Sequence, residues 1–230
     1  MFRVVTYNIR AGLGLDGVRS IRRIASVLAE LNPDVACLQE VDQHVPRSWL
    51  ANQPKYLSTR LGMQAVFQRN LVLGAGAFGN CVLVKQFAQH CRCHPLPGAG
   101  EPRGVQEVTA TFDGHEATIF CTHLSTEHSV RIEQARKVQE IVHAVKGPKI
   151  LCGDMNDMPG SQTLSELLDE AVLRDSALEM DAGDIPTFSL EGSKRIDFVL
   201  ADLRFVVKSY QIVETDASDH RPVVVDLEFA

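Results

Sequence analysis

The sequence predicts an α/β fold, in which β-strands and amphipathic helices alternate along a single domain of 230 residues. A strand, a helix and a second strand follow one another at the N-terminus, within a span of about forty residues. Further along, a strand hairpin, a long amphipathic helix and a buried strand come in succession. With 45% hydrophobic residues, the chain can bury the substantial core that one large domain requires.

The N-terminal elements have the clearest patterns. Phe2 to Ile9 alternates as a strand does, and Val18 to Leu31 carries apolar residues at helical spacing. Asn32-Pro33 ends that helix, because the residue before a proline avoids helical backbone angles. Asp34 to Leu38 is then a second strand, which runs directly into Gln39-Glu40.

The middle of the chain is less regular. We expect a helix over Arg47 to Leu61. Two short strands follow, at Met63 to Gln68 and at Asn80 to Val84, and the glycine-rich stretch Leu73 to Gly79 separates them. Asp113-Gly114 lies between two apolar runs, Val105 to Phe112 and Ala117 to Cys121, and therefore predicts a hairpin. The second strand of this hairpin leads into Thr122-His123.

The C-terminal half begins with a long amphipathic helix over Val130 to Val145, which Gly147-Pro148 ends. An apolar strand over Lys149 to Leu151 follows and leads into Cys152-Gly153-Asp154-Met155-Asn156-Asp157. We expect one more helix between Ser161 and Val172. Three strands then close the chain, at Ile196 to Leu200, Phe205 to Val213 and Pro222 to Phe229.

The bulk composition limits the possible functions. A net charge of −6 disfavours a broad basic surface for duplex DNA but leaves room for a local basic cleft. No apolar run approaches the roughly 20 residues that span a bilayer, and the N-terminus lacks the pattern of a signal peptide. Four of the six cysteines, Cys37, Cys81, Cys121 and Cys152, lie in strand-like apolar runs, as small buried thiols of a reducing compartment do. We therefore expect a cytoplasmic protein.

Two glycine or cysteine motifs suggest cofactors that the rest of the chain does not support. Cys91-Arg92-Cys93-His94 has no second Cys or His pair at the spacing of a zinc site. The glycines of Gly12-Leu13-Gly14-Leu15-Asp16-Gly17 match the dinucleotide-binding pattern, but polar Asn8 and Arg10 precede the first glycine where a tight turn belongs. No Gly-Lys-Ser/Thr follows, which excludes a nucleotide P-loop.

Two polar motifs also fail as familiar sites. The segment from Asp154 to Gly160 is not a calcium loop, because Met158 stands at the third ligand position. Ser218-Asp219-His220 contains the residue types of a serine triad, but neighbours on an extended chain point in opposite directions, and no Gly-x-Ser-x-Gly motif is present.

Polar side chains recur at the ends of predicted strands along the whole chain, namely Asn8, Glu40, His123, Asp154, Asn156, Asp197 and Asp219-His220. Each has a plain structural explanation: Asn8 could cap a turn, His123 could be a hydrogen-bonded core histidine, and Asp197 could pair with Arg195. Together they predict one site, because several carboxylates at one sheet edge repel each other without a cation. Carboxylates and amides favour Mg²⁺ or Mn²⁺, which suits attack of water on a phosphate ester.

With these residues placed, the chain resembles the endonuclease/exonuclease/phosphatase superfamily of metal-dependent phosphoesterases, which includes pancreatic-type deoxyribonuclease, abasic-site endonucleases, inositol polyphosphate 5-phosphatases and neutral sphingomyelinases. The resemblance spans nearly the whole chain in order: Thr6-Tyr7-Asn8-Ile9, Leu38-Gln39-Glu40, Glu101-Pro102-Arg103-Gly104, Thr122-His123-Leu124, Gly153-Asp154-Met155-Asn156, Arg195-Ile196-Asp197-Phe198 and Ser218-Asp219-His220-Arg221-Pro222. Each motif is short, and the ordered set is specific.

The resemblance implies a four-layered α/β sandwich, with two mixed β-sheets packed face to face and helices on the outer faces. It implies Glu40 as the principal metal ligand, with Asn8 and Asp219 close by. Asp154 would orient or deprotonate the water, Asn156 would hold the water or a phosphoryl oxygen, and His123 would contact the scissile phosphate. His220 would act as a hydrogen-bonded pair with Asp197, and Arg103 would clamp the phosphate. Either Asp154 or His220 could accept the proton.

One position departs from the family pattern. Abasic-site endonucleases carry an acidic residue two positions after the first Asn, where this chain has Arg10. This change removes one acidic ligand and adds a cation to the site. The single Trp and three Tyr also offer few rings for stacking on splayed bases.

We therefore predict a Mg²⁺- or Mn²⁺-dependent phosphodiesterase that acts on a phosphoester, either nucleic acid (DNA or RNA) or a small or lipid phosphoester. A sphingomyelinase-like phospholipase or an inositol-type phosphatase is the alternative within the enzyme class, and a catalytically silent binding module is the alternative outside it. We expect a monomer, and the sequence indicates no dedicated protein partner.

Overall fold

The computed structural model describes residues 1–168, 172–190 and 192–230. Its strands and helices are, in chain order, β1 (Phe2–Asn8), α1 (Ile21–Leu31), β2 (Val35–Gln43), α2 (Gln53–Leu61), β3 (Gln64–Leu73), β4 (Gly76–Val84), β5 (His90–Pro95), β6 (Gly104–Phe112), β7 (His115–His123), α3 (His128–Ala144), β8 (Lys149–Asp154), α4 (Gln162–Leu167), β9 (Leu173–Asp175), α5 (Ser176–Glu179), β10 (Asp197–Asp202), β11 (Phe205–Ile212) and β12 (Val223–Phe229).

These elements form the predicted four-layered α/β sandwich. One six-stranded sheet has the order β11-β12-β1-β2-β4-β3, and the other has the order β5-β6-β7-β8-β10-β9. Both sheets are mixed, since β1 pairs with β2 and β7 with β8 in parallel while their other neighbours are antiparallel. The fold class predicted from the sequence is confirmed.

Three apolar clusters fill the spaces between the layers. The central cluster joins the inner faces of the two sheets and includes Val4, Val82, Ile119 and Cys152. A second cluster packs α1 and α2 against the first sheet, and a third packs α3 and α4 against the second sheet. The inner strands are buried on both faces, which explains why their sequences are continuous apolar runs rather than alternating ones.

The two parallel strand pairs bring their carboxyl ends to the same edge of the sandwich. In the first sheet Asn8 ends β1 beside Gln39 of β2, and in the second His123 ends β7 beside Asp154 of β8. The antiparallel strands β10 and β12 begin at this edge, because Asp197 pairs with Asp154 and Thr6 of β1 pairs with Val223. We call this edge the site edge.

Two predictions in the middle of the chain were wrong. The helix expected over Arg47 to Leu61 begins only at Gln53, because Trp49 and Leu50 have left-handed backbone angles and Asn52 caps the helix by accepting from the Lys55 backbone N–H. The glycine-rich separator is also wrong, since β3 and β4 extend into it as a hairpin that turns at Gly74.

Other element boundaries differ from the predictions. The helix expected between Ser161 and Val172 ends at Leu167, and residues 169–171 lie outside the described part of the chain. Strand β5 was not predicted, because it is an exposed edge strand with no apolar alternation. It carries the motif Cys91-Arg92-Cys93-His94, where both thiols are exposed and His94 bonds to Glu107 at 2.8 Å.

The remaining cysteines, Cys37, Cys81, Cys121 and Cys152, are free and buried, as predicted. Among the residues that the structure describes, no helix has the length and apolar character needed to cross a membrane.

Candidate active site

All of the site residues predicted from the sequence lie at the site edge, and all of them except Asp219 are linked to another predicted residue by a short polar contact. Asp154 is at the centre of these contacts and its side chain is almost fully buried. Its Oδ2 accepts a hydrogen bond from the Asn8 amide at 3.0 Å and lies 3.3 Å from His123 Nε2 and 3.7 Å from His220 Nε2. Its Oδ1 accepts from the Asn156 backbone N–H at 2.9 Å. Asp154 therefore joins groups from both sheets.

The backbone at Asp154 is held by a close approach of two strands. At Gly153 φ is +154°, and a Cβ at this position would collide with the carbonyl oxygen of Thr122 on β7. Only glycine permits this approach, which aligns His123 with Asp154 across the parallel pair. Asn156, two residues on, has a left-handed φ of 52°, and its side-chain N–H donates to the Leu124 carbonyl at 2.9 Å.

Burial and neighbouring charge together determine the protonation of Asp154. The pKa of Asp154 is raised to about 7, mainly because the carboxyl is buried; the Asp197 carboxylate also raises it, while His220 and the hydrogen bond from the Asn8 amide lower it. A carboxyl whose pKa lies near neutrality can accept a proton efficiently at the pH at which it works.

His220 forms the predicted pair with Asp197. Its Nδ1 lies 2.9 Å from Asp197 Oδ2, and both side chains are buried. Burial alone would lower the pKa of His220, but the carboxylates of Asp197 and Asp154 outweigh it and raise the pKa to about 10. The imidazole is therefore protonated at neutral pH. The structural explanation that Asp197 pairs with Arg195 is wrong, since Arg195 bonds to Asp175 at 2.7 Å.

His123 is held as a neutral imidazole. Because a guanidinium can only donate, the 2.7 Å contact from Arg103 Nη1 makes His123 Nδ1 an acceptor and places its proton on Nε2, facing Asp154. Burial, Arg103 and His220 lower the pKa of His123 well below its usual value. Arg103, predicted as a phosphate clamp, also pairs with Glu101 at 3.0 Å, and only 11% of its side chain is exposed. It orients His123 in this structure.

Glu40 is placed by an irregularity in its strand. The pairing of β2 with β4 shifts register between Leu38 and Val41, and Glu40 within this bulge has a left-handed φ of 57°. A bulge re-aims a side chain, and left-handed backbone in a non-glycine residue is strained, so both features are typical of functional positions. The Glu40 carboxylate accepts from the same Asn8 amide group, at 3.0 Å, that binds Asp154.

The residues around Asn8 fit a divalent cation. The Glu40 and Asp154 oxygens that share the Asn8 amide lie within about 6 Å of each other, and oxygen ligands of this kind suit Mg²⁺ or Mn²⁺. Asp219, the third predicted ligand, lies 3.2 Å from the Arg10 guanidinium instead and accepts from Ser218 Oγ.

A second group of residues could hold an ion by distance alone. Ligand atoms of Asp154, Asp197 and His220 lie within 4.8 Å of one another. However, His220 Nδ1 and Asp197 Oδ2 already form a hydrogen bond with each other, so the arrangement fits proton handling better than metal binding. The Glu40, Asp154 and His220 atoms that form these contacts lie no more than about 10 Å apart, which is compatible with one reaction centre.

Sequence reasoning missed two residues that support the pair. The Thr187 hydroxyl accepts from the backbone N–H of Asp197 at 3.1 Å, and the Phe188 ring lies 5.0 Å from the His220 ring. Both belong to an irregular segment whose sequence has no helix or strand periodicity. The only signal in the sequence is the run Pro186-Thr187-Phe188-Ser189, in which a phenylalanine stands between two hydroxyl residues. The Gly12 to Gly17 motif does not open a helix, since α1 begins at Ile21.

Comparison with known proteins agrees with this geometry. The model of the Endonuclease/Exonuclease/phosphatase family matches residues 5–220. This chain belongs to that family. Its members are phosphoester hydrolases, and the family resemblance predicted from the sequence is confirmed. No curated protein matches the chain significantly.

Solved structures of family members share the fold. An endonuclease/exonuclease/phosphatase from Beutenbergia cavernae is 29% identical with a TM-score of 0.87, over 99% of this chain and 71% of that one. A mannosyl-6-phosphatase from Bacteroides thetaiotaomicron is 21% identical with a TM-score of 0.74, over 100% of both chains. D. rerio TDP2 complexed with a single-strand DNA product is 16% identical with a TM-score of 0.79, over 99% of this chain and 98% of that one.

Proposed function

We propose that this family member is a divalent-metal-dependent phosphodiesterase that hydrolyses a P–O bond by attack of an activated water. One observation supports this most strongly: the buried Asp154 carboxylate lies between the Asn8–Glu40 contact on one side and the His220–Asp197 pair on the other. A proton acceptor (Asp154), a group that can bind a metal cation (Asn8 and Glu40) and a cationic side chain (His220) are thus close enough together to act on one phosphate.

The protonation states support Asp154, rather than His220, as the general base. His220 has a raised pKa and already carries its proton, so it can stabilise charge on a phosphoryl oxygen but cannot accept a proton from water. Asp154 can take that proton, and Asn156 beside it can direct the water through the amide hydrogen that Leu124 does not bind. When bound at Glu40 and Asn8, Mg²⁺ or Mn²⁺ would offset charge on the phosphoryl oxygens.

His123 and Arg103 complete the proposed site. The Nε2–H of the neutral His123 points toward Asp154 and could be shared with a phosphoryl oxygen of the substrate, as the sequence analysis predicted. Arg103 would then act mainly by fixing the imidazole, and its charge would reach the phosphate only at longer range. Asp219 remains a candidate ligand, since a substrate phosphate would compete with it for Arg10 and a metal would compete with Arg10 for its carboxylate.

The substrate class stays open between nucleic acid, DNA or RNA, and a small phosphodiester. The D. rerio TDP2 structure holds a DNA product and the Bacteroides thetaiotaomicron protein is a mannosyl-6-phosphatase, so both kinds of phosphoester are represented on this fold. A phosphatase is therefore the second candidate. We also propose that the protein is a monomer and that it is cytoplasmic; the six free cysteines support the location.

The test is hydrolysis of an aryl phosphodiester with Mn²⁺ or Mg²⁺. We expect EDTA to abolish turnover and Asp154→Asn to lower kcat by about 10²- to 10⁴-fold, the usual contribution of a general base. Asp157→Asn is the matched control, because Asp157 pairs with Arg131 and not with the site. A folded protein that cleaves no member of a broad phosphoester panel would contradict the proposal.

A further inference from the structure

Three arginines, Arg10, Arg19 and Arg47, lie near Asn8 and Glu40, and the proposed chemistry gives no role to Arg19 and Arg47. Arg10 follows Asn8 by two residues, and its backbone N–H donates to Asn8 Oδ1 at 3.1 Å. Its guanidinium lies 3.2 Å from Asp219, and 36% of the side chain stays exposed. Arg10 therefore presents a partly open cation directly next to the site residues.

Arg19 is the second arginine of this group, and backbone carbonyl oxygens accept its hydrogen bonds. Its Nη1 donates at 2.9 Å to the carbonyl oxygens of Arg10 and Ala11, and within residues 1–168, 172–190 and 192–230 it forms no ion pair. Burial is the largest cause of the lowered pKa of Arg19. The charges of Arg47 and Arg10 also lower it, and the carboxylates of Asp42 and Glu40 oppose them, so Arg19 lies within electrostatic range of both other arginines and of Glu40.

Arg47 is the third arginine of the group and lies within electrostatic range of Glu101. Its guanidinium binds Asp42 in a bidentate pair at 2.8 and 3.0 Å, while 46% of the side chain is exposed. It lies over the Phe78 ring, with 4.8 Å between the guanidinium carbon and the ring centroid, and it interacts electrostatically with Glu40 and Glu101. The pair and the ring hold the guanidinium in place.

The backbone that carries Arg10 is strained. Arg10 and Ala11 have consecutive left-handed φ angles of 45° and 48°, which cost energy in residues other than glycine. The two carbonyls that accept from Arg19 belong to this strained turn, so Arg19 stabilises the conformation that directs Arg10 to Asp219. Three fork-shaped donors, of which Arg10 and Arg47 pair directly with carboxylates and Arg19 with backbone carbonyls, favour an anion with several oxygens, such as phosphate.

We propose that Arg10, Arg19 and Arg47 form a second anion subsite, which binds a phosphate of the substrate other than the one that is cleaved. The inference rests on the proposed phosphodiesterase activity and narrows its substrates to phosphoesters that carry at least two phosphate groups. The second phosphate can be a terminal monoester of a small bisphosphorylated compound or a backbone diester of a nucleic acid.

The first test compares two substrates that differ only in the second phosphate: thymidine 5′-(4-nitrophenyl phosphate) and its 3′-phosphorylated form. We expect kcat/KM to be about 10- to 100-fold higher for the 3′-phosphorylated compound, the value of a charge-assisted hydrogen-bonded pair. Arg19→Gln should reduce this preference to about twofold or less. Arg60→Gln, at an exposed position on α2, should preserve it.

A third substrate, with a second thymidine joined through the 3′-phosphate, distinguishes the two sources of the anion. A preference limited to the 3′-monophosphate assigns the subsite to small bisphosphorylated compounds. An equal preference for the dinucleotide assigns it to a nucleic-acid backbone. The absence of a preference for either compound would overturn the inference while leaving the phosphodiesterase activity itself established.

The second test needs no turnover. Titration of inorganic pyrophosphate into the full chain in EDTA, followed by calorimetry, measures anion binding directly. We expect Arg19→Gln to weaken binding at least about tenfold, Arg19→Lys to retain part of it because it keeps the charge but not the fork, and Arg60→Gln to leave it unchanged. Thermal unfolding confirms that each variant is folded. Equal affinities for the wild type and a folded Arg19→Gln variant would overturn the inference even if the protein hydrolyses nothing.

Discussion

At the scale of single residues, the protonation of His220 depends on one buried carboxylate. The Asp197 backbone N–H donates to the Thr187 hydroxyl and the Asp197 side chain is fully buried, so this carboxylate is fixed in place before any substrate arrives. A fixed carboxylate next to an imidazole favours the imidazolium, and burial of the same ring disfavours it. The balance between these two effects can be tested by removing the charge alone.

Replacing Asp197 with Asn should lower the pKa of His220. Without the carboxylate, burial of the imidazole dominates, and the ring is expected to lose its proton at a lower pH than in the wild type. The titration of the histidine Cε1 proton, followed by NMR in EDTA, measures this directly. Asp157→Asn serves as the control and should leave the His220 titration in place. We also expect kcat to fall by about 10²- to 10⁴-fold, since His220 would no longer be cationic. An unchanged His220 midpoint would contradict the pairing.

The residue types of the site could be predicted from the sequence, but their pairings could not. Asp154 and His123 follow buried strands, and the parallel pairing of β7 with β8 makes them neighbours. The left-handed turn at Glu40 and the contact of Phe188 with His220 depend on packing that no local pattern encodes. Arg195 is the clearest case, because its nearest acid in sequence, Asp197, is not its partner.

At the scale of elements, the fit of β8 against β7 depends on Gly153. Gly153→Ala should lower the free energy of unfolding by about 3 kcal/mol or more, because the added Cβ must push the Thr122 carbonyl away. Gly160→Ala is the matched control, since Gly160 also has a positive φ but has open space around it, and a loss of about 1 kcal/mol is expected. Urea denaturation measures both. Equal losses would show that backbone conformation, and not the close approach, requires the glycine.

The loop after β8 is joined to α3 and α4 by one carboxylate. Asp157 Oδ2 accepts from Arg131 of α3 at 3.1 Å and from the Thr163 hydroxyl of α4 at 2.8 Å. Burial would raise the pKa of Asp157, but these bonds and the Met158 backbone N–H outweigh it and lower the pKa. This carboxylate therefore stabilises the fold only while it is ionised.

The stability that Asp157 contributes should depend on pH. Because its pKa is lower in the folded chain, the contribution is complete above the unfolded pKa, about 3.9, and is lost as the pH falls through the lower folded value. We expect Asp157→Asn to unfold with about 1–3 kcal/mol less free energy than the wild type at pH 7, and the difference to close at the acid end. Asp181→Asn, at an exposed position, should change little at either pH. A pH-independent difference would argue against the ionised pair.

Long elements with a strong pattern could be predicted, and short or exposed ones could not. The hairpin around Asp113-Gly114 and helix α3 have turn chemistry and periodicity that agree with their surroundings. Strand β5 forms because β6 offers it an edge, and its own residues are mostly exposed. Gly79 likewise lies in a strand because of a neighbouring strand and not because of its own pattern. It packs so closely against β3 that a Cβ would collide with the Gln68 carbonyl oxygen.

At the scale of the whole molecule, metal binding should stabilise the sandwich as well as activate it. Asn8 and Glu40 belong to the first sheet and Asp154 to the second, so a cation held there joins the two layers. At a Mn²⁺ concentration of about 100 times Kd, binding adds about 2.7 kcal/mol, which raises Tm by about 5–10 °C in a chain of this length.

Glu40→Gln tests the predicted metal site. We expect the variant to lose most of the Mn²⁺-dependent rise in Tm, while Glu116→Gln, at the opposite end of β7, retains it. Thermal unfolding in EDTA and in Mn²⁺ measures both. A full rise in the Glu40→Gln variant would place the cation elsewhere, with the cluster of Asp154, Asp197 and His220 as the next candidate.

The order of the strands has a consequence for synthesis on the ribosome. The whole second sheet, β5 to β10, is one continuous stretch of chain, while the first sheet pairs β1 with β12 across nearly the full length. The second sheet can therefore assemble while the chain is still growing, but β1 has one unpaired edge until the last strand emerges. Asp219 and His220 arrive just before that strand. The nascent protein thus brings Asp219 and His220 to the other residues of the candidate site only as β12 pairs with β1, and before that pairing it exposes an open strand edge.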